Sequence, residues 1–196
     1  MARTSVQATD PRTSLYGACG KVTAENGIEL SDIEKVIRTG VGSSQVSRPL
    51  YGLACETVSE FECVGRGGLF LSELSEAIVI SMGTGTAIVH AKRDGYLNYL
   101  GGTGVGGGTL TGLSKKMLGI ERIDHIVELA KDVSLDNVDL RIKDISKKKS
   151  SLYFPENMTS STFGNLSDIA SPVEILLANT DMMLETSGTT GLLAAH

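Results

Sequence analysis

Two glycine-rich turns and one glutamate are the residues whose types and spacing could do chemistry in this chain. The turns are Gly83-Thr84-Gly85-Thr86 and the stretch GGTGVGGGTLTGL, residues 101 to 113, with seven glycines in thirteen positions. A bound phosphate needs backbone N–H groups that converge on it, and side chains obstruct that approach. Glycine removes the obstruction and permits φ > 0, while threonine adds a hydroxyl donor. The second turn, Gly101 to Gly108, runs directly into an apolar, helix-compatible segment. The N-terminal N–H groups and dipole of such a helix favour an anion. A flexible linker would be followed by polar sequence instead. Alone, G-T-G-T reads as a tight turn. The pair, with a helix after the second, reads as one polyphosphate held between two loops.

Neither turn is a Walker loop, because G-x-x-x-x-G-K-[ST] is absent. GTGVGG, residues 102 to 107, fits G-x-G-x-x-G by letter. It lacks the ribose-binding acid about 20 residues on in a β-α-β context. Phosphoryl transfer also needs a group that orients or deprotonates the acceptor hydroxyl. Glu60 is the candidate, at the end of an apolar strand where the chain turns into a helix. A carboxylate there can face a cleft and receive a proton. It can equally be a first-turn glutamate that complements the helix dipole, as Glu62 can.

The elements that must position these groups are legible in outline. DPRTSLYGACGKVTAENG, residues 10 to 27, predicts a helix with Asp10 as cap, Pro11 at the first position and Gly27 as the stop. Leu15, Ala18, Cys19 and Val22 share one of its faces. A short helix is expected over DIEK, VIRTG reads as a buried strand, and VGSSQV reads as a loop or short helix. LACETVSE reads as a strand, and FECVGRGGLFLSEL as a helix whose glycines imply close packing, since each costs about 1 kcal/mol against alanine. AIVIS has the continuous apolar run of a central strand. TAIVHAK, the Asp94-Gly95 turn and YLNYL complete a three-stranded meander. Two helices follow, over LTGLSKKMLG and RIDHIVELAKD. NVDLRIKDIS is ambiguous, and the segment from Pro172 onward reads as a long helix apolar enough for burial on several sides.

Composition narrows the classes. The chain has 196 residues, 41% hydrophobic and 21% charged, with a net charge of -5. That balance is globular rather than disordered and gives no general attraction to nucleic acid or anionic membrane. Lys147-Lys148-Lys149 beside Asp144 reads as a solvated loop. Three cysteines, Cys19, Cys55 and Cys63, with no C-x-x-C pair, argue against a disulfide framework or a zinc knuckle. His90, His125 and His196 are scattered, so no metal ligand set is read. No apolar run approaches the ~18 residues of a membrane span. The opening MARTSVQATDPRTS lacks the apolar core of a secretion signal, and a reducing cytoplasm is the expected location.

Five blocks resemble the type II pantothenate kinases in their longer, clostridial-like form: VSEFECVGRGGLFL, AIVISMGTGTAIV, LGGTGVGGGTLTGLSKKMLG, NVDLRIKDI and NMTSSTFGN. The upstream ATDPRTSLYGACGKVTAENGIELSDIEKVIRTGVGSS is similar too, so the resemblance covers nearly the whole chain. It implies the α/β fold of the acetate kinase, sugar kinase, heat-shock ATPase and actin group (ASKHA), with two lobes around an ATP cleft. Residues 1–59 would be the remainder of the N-terminal lobe. Residues 60–196 would be the C-terminal lobe, with the meander at about 76–100, the glycine loop and the helices. The implied reaction transfers the ATP γ-phosphate, with Mg²⁺, to the primary hydroxyl of pantothenate, the first step towards coenzyme A. The implied assembly is a homodimer.

By the same resemblance Glu60 falls on the family's general base. Gly83, Thr84, Gly85 and Thr86 fall on one ATP loop. Gly106, Gly107, Gly108, Thr109, Leu110 and Thr111 fall on the second, with Ile123 near a nucleotide-side position. Tyr99, Gly101 and Gly102 fall where relatives approach pantothenate. Ser59 stands where close relatives have aspartate, and Tyr99 where some have arginine. An aromatic at Tyr99 cannot supply cationic hydrogen bonds to a carboxylate. The chain is expected to lack the D-x-G-G-T loop and first strands of the N-terminal lobe and the last strands of the C-terminal lobe, about 75 to 100 residues by ordinary domain sizes. Two other readings accompany this one. One is a kinase or ATPase of the same fold acting on another small hydroxylated substrate. The other is a truncated, catalytically dead dimerisation core.

Overall fold

A computed structural model describes residues 2–6, 10–45, 49–120, 122, 128, 133–146 and 154–195. The chain divides into two compact units, Met1–Ala77 with Ala91–Leu97, and Ile78–His90 with Asn98–His196. The architecture is mixed α/β, in agreement with the expected class.

In the first unit, helix α1 spans Pro11–Asn26 and starts where the sequence places its signals. The Thr13 N–H donates to Asp10 Oδ1 at 2.8 Å. Pro11 gives up an N–H that would have no helical partner anyway. Gly27 ends the helix at φ 62°, a conformation glycine adopts without a Cβ clash. Leu15, Ala18, Cys19 and Val22 are half-buried together, as expected of one shared face. A 3₁₀ turn over Leu30–Asp32 replaces the expected short helix. Strand β1, Val36–Arg38, pairs in parallel with β2, Cys55–Thr57. The expectation of a buried strand fails here. Alternation turns Val36 and Arg38 to one face and Ile37 to the other, where it stays 58% exposed. Lys35 and Glu56 form an ion pair at 2.8 Å along the ribbon, and Arg38 Nε donates to Thr57 Oγ1 at 3.0 Å.

Helix α2, Glu60–Ser72, buries Gly65 and Leu69. Close packing therefore touches Gly65, but a Cβ at Gly67 would meet nothing within 4 Å. The meander is β3, Glu76–Met82, β4, Thr86–Lys92, and β5, Leu97–Thr103, ordered β3-β4-β5. Its hairpin turns at Asp94-Gly95, where Gly95 has φ 102° and the Tyr96 N–H donates to Asp94 Oδ1 at 2.9 Å. The middle strand is β4, not the AIVIS run of β3. Among the described strands of this meander only β4 has a neighbour on both sides, so Ile88, Val89 and Ala91 become fully buried while Ile80 and Met82 of β3 stay partly exposed.

In the second unit, helix α3 spans Gly107–Leu118 and the long helix α4 spans Pro172–Ala194. Leu110 of α3 packs on Leu176 of α4, with Leu118, Ile120 and Met183 around them. On another side of α4, Ala178 packs with Leu135 and Val138. Burial on several sides is thus observed for this helix. The ambiguous NVDLRIKDIS resolves into a strand at Leu140–Arg141 and one helical turn over Ile142–Ile145. That strand pairs antiparallel with Thr159–Ser161. The buried Asp139 carboxylate joins the two segments: the Phe163 N–H donates to it at 2.9 Å and the Thr159 hydroxyl at 3.2 Å. The helix expected over residues 122–132, and Lys147 to Lys149, fall largely or wholly outside the described residues.

Candidate functional site

The two glycine turns meet in the second unit, backbone against backbone. The Gly107 N–H donates to the Gly83 carbonyl at 2.8 Å and the Gly108 N–H to the Thr84 carbonyl at 2.9 Å. The tip of the first turn closes on itself, Gly83 N–H to Gly85 carbonyl, at 2.8 Å. Such contact leaves no room for side chains. A Cβ on Gly106 would lie 2.7 Å from the Gly85 carbonyl carbon, and one on Gly108 would lie 2.9 Å from both the Thr84 oxygen and its Cγ2. Both distances are shorter than a real Cβ contact, so the glycines are there because one turn is docked on the other.

Threonines fasten the arrangement. The Thr86 hydroxyl, buried, donates to the Val105 carbonyl at 2.8 Å and lies 3.2 Å from Ser187 Oγ on α4. A hydroxyl has one proton to give, so Ser187 is the donor in the second contact. Thr109 Oγ1 donates to the Gly104 carbonyl at 2.9 Å and accepts from the Gly106 N–H at 3.3 Å, which caps the start of α3. Thr111 Oγ1 donates back to the Gly107 carbonyl at 2.8 Å. Gly191 of α4 presses against the Ile80 side chain of β3 in the same unit.

The result is an open groove of about 560 Å³ lined by Gly83, Thr84, Gly107, Gly108, Thr111 and Gly112. Five of these six were expected from the sequence to touch a nucleotide. Gly85 and Gly106 lie beneath, each against the other. Thr86 and Thr109 spend their hydroxyls on the loops, and the Leu110 side chain belongs to the core with Leu176. Residues of the first turn of α3 line this groove, so the positive end of the helix dipole lies beside it. Its Gly107 and Gly108 amides are already engaged by carbonyls, so the dipole and the glycine-rich walls, not those two N–H groups, make the groove suitable for an anion.

Of the expected acceptor-side residues, Gly101 sits at φ 133° on β5, where glycine is at ease. Gly102 lies so close to the Thr86 carbonyl that a Cβ would collide with it, and Tyr99 is half-exposed. Ile123 lies outside the described residues.

Glu60 belongs to the first unit and opens α2 as its first residue, exposed, after Ser59 at the cap. Glu62 beside it is bonded to Arg66 Nε at 2.9 Å. Among the described residues Glu60 has no such partner, so its carboxylate stays available while Glu62 serves the helix. Sequence reasoning missed Ser187 and Asp139. Nothing local marks them, since Ser187 meets Thr86 from 101 positions away. Among the described residues no group of three or more His, Cys, Asp or Glu could hold a metal ion, and no helix is long and apolar enough to cross a membrane.

Comparison with known proteins bears on this arrangement. The family model described as Fumble matches residues 73–175, which take in the meander, both glycine turns and α3. The chain is 30% identical over 167 residues to a type II pantothenate kinase of Bacillus cereus, covering 81% of this chain and 58% of that protein. It is 29% identical over 154 residues to one of Oceanobacillus iheyensis, covering 75% and 55%. The chain thus spans little more than half the length of these curated relatives. Among solved structures, (R)-2-hydroxyglutaryl-CoA dehydratase component A of Acidaminococcus fermentans aligns at a TM-score of 0.48 and 15% identity, over 97% of this chain and 60% of that one. With more than half of its residues under the family model, and the docked glycine turns inside the match, the chain belongs to the Fumble family of type II pantothenate kinases.

Proposed function

We propose that this chain belongs to an enzyme that transfers the γ-phosphate of ATP to the primary hydroxyl of pantothenate, opening the route to coenzyme A. The observation that carries the reading is the groove walled by both glycine turns at the start of α3. Lined by four glycines and two threonines beside the first turn of a helix, it suits the phosphates of a nucleotide. The relatives' names supply the acceptor. In this reading Gly83, Thr84, Gly107, Gly108 and Thr111 face the nucleotide. Gly85, Thr86, Gly106 and Thr109 hold the turns together, and Leu110 anchors α3. Tyr99, Gly101 and Gly102 face the acceptor, and Ile123 stays a nucleotide-side position. The fold reading is two ASKHA lobes divided near residue 60.

Glu60 is the general base in this proposal. Its carboxylate takes the proton of the pantothenate hydroxyl as that oxygen bonds to the γ-phosphorus. The bridging P–O bond breaks and ADP leaves with its electrons. Glu60 precedes the segment matched by the family model, so this role rests on its chemistry and on the resemblance of its surrounding block. The described residues offer no ligand set for a resident metal, and Mg²⁺ enters only as the companion of ATP. The setting is cytoplasmic and the assembly a homodimer, for which the exposed Leu184, Leu192 and Leu193 of α4 are the supporting observation.

Tyr99 favours a second reading, a different hydroxylated acceptor, because it brings a half-exposed ring to a place where some relatives have a cation. A panel of acceptors with ATP separates the two. Phosphorylation of pantothenate above all others supports the first reading, and preference for an acceptor without a carboxylate, such as an amino sugar, overturns it.

A further inference from the structure

We propose that the first unit carries a second binding site, for a small ligand that joins an anionic group to an aromatic or apolar body. A groove of about 650 Å³ lies there, lined by Arg66, Leu69 and Phe70 of α2, Glu73 just after it, and Lys92 and Arg93 at the end of β4. That volume falls within the roughly 300–1,000 Å³ of small-molecule sites. The lining holds Arg66, Lys92 and Arg93 beside Glu73, and Arg66 and Lys92 are each paired with a glutamate, Glu62 and Glu76, so the groove offers directed donors rather than a net positive charge.

The cations are fixed in ways that leave their binding faces unspent. Arg66 Nε donates to Glu62 at 2.9 Å. Arg93 Nε donates to the Leu74 carbonyl at 3.0 Å, and the Arg93 backbone N–H to the Ser75 carbonyl at 2.9 Å. Each guanidinium is therefore oriented through Nε, while its Nη groups have no partner among the described residues. A planar fork with free Nη donors matches the paired oxygens of phosphate or carboxylate. Lys92 Nζ is held by Glu76 at 2.9 Å and adds a point charge. The apolar half is supplied by buried Leu69 and by Phe70, which is 77% exposed. A single exposed phenylalanine needs no explanation. One that shares a groove with two pre-oriented forks makes a two-part recognition surface.

The test is calorimetric titration of the whole chain with phenyl phosphate, beside inorganic phosphate and phenol as its separate halves. Phenyl phosphate should bind saturably and at least about tenfold tighter than either half, and Arg66→Gln and Phe70→Ser should each weaken it by about tenfold. Both positions are on the solvent side of α2, and an exposed i,i+4 pair such as Arg66 with Glu62 contributes only about 0.3–0.5 kcal/mol. Unchanged circular dichroism is therefore expected of both variants. Binding no tighter than that of phosphate alone, or equal binding by wild type and both variants, overturns the proposal.

Discussion

Gly106 shows what the glycine turns are made for. Its missing Cβ is space already taken by the Gly85 backbone. Overpacking of this kind costs about 1–3 kcal/mol, so Gly106→Ala should lower the urea midpoint clearly. Gly112 is the control, because a Cβ there meets nothing within 4 Å inside α3. Gly112→Ala should leave stability unchanged or raise it by up to about 1 kcal/mol. Equal effects at the two positions would remove the packing argument. Thr86→Val should also destabilise, by about 1–3 kcal/mol, because it leaves the buried Ser187 hydroxyl without its acceptor. The glycine pattern was legible in the sequence, but the two turns were expected to hold a phosphate between them, and in the structure they dock directly on each other. That the Gly107 and Gly108 amides are given to carbonyls was not legible, because a one-dimensional pattern shows where N–H groups are available and not what they face.

At the scale of elements, caps were the most readable signals. Asp10, Pro11 and Gly27 bound α1 as expected because each acts through its own backbone neighbourhood. The long helix starts the same way: the Ser171 N–H donates to Glu174 Oε2 at 2.7 Å, and Ser171 Oγ accepts from the Glu174 N–H at 3.3 Å. Three bonds to the carboxylate, from the Ser171 backbone N–H foremost and then from the Ser171 hydroxyl and Asn137 Nδ2, hold the Glu174 carboxyl below its ordinary range. A carboxylate with a lowered folded-state pKa stabilises above its unfolded value, about 4.3, and loses that contribution as pH falls through the folded value. Glu174→Gln should therefore lower stability at pH 6 and flatten the acid limb of an unfolding titration. Identical acid limbs would refute the capping role. Burial was the less readable part. VIRTG looks like core, yet Ile37 is exposed. AIVIS looks central, yet β4 holds that place. Both depend on which strand gains a second neighbour, and hydropathy does not contain that information.

For the molecule as a whole, charge placement gives the opposite pH effect. Burial raises the Asp181 carboxyl above its ordinary value, the Asp139 charge adds to this, and Arg141 opposes it. With a folded-state pKa above the unfolded one, ionisation works against folding. The penalty is absent below the unfolded value and sets in as pH rises through the folded one. Asp181→Asn should thus stabilise at pH 7 and change little at pH 3, as read by thermal unfolding at both. Composition and motif order sufficed to reach the family, because the blocks that carry it are continuous in sequence. The measurement that tests the central claim most directly is transfer of labelled γ-phosphate from ATP to pantothenate, by wild type and by Glu60→Gln. General-base catalysis contributes about 10²–10⁴-fold, so phosphopantothenate should form with the whole enzyme to which this chain belongs and slow by that factor in its Glu60→Gln variant. Near-normal turnover by Glu60→Gln, or ATP consumed with no phosphopantothenate formed, would contradict the account.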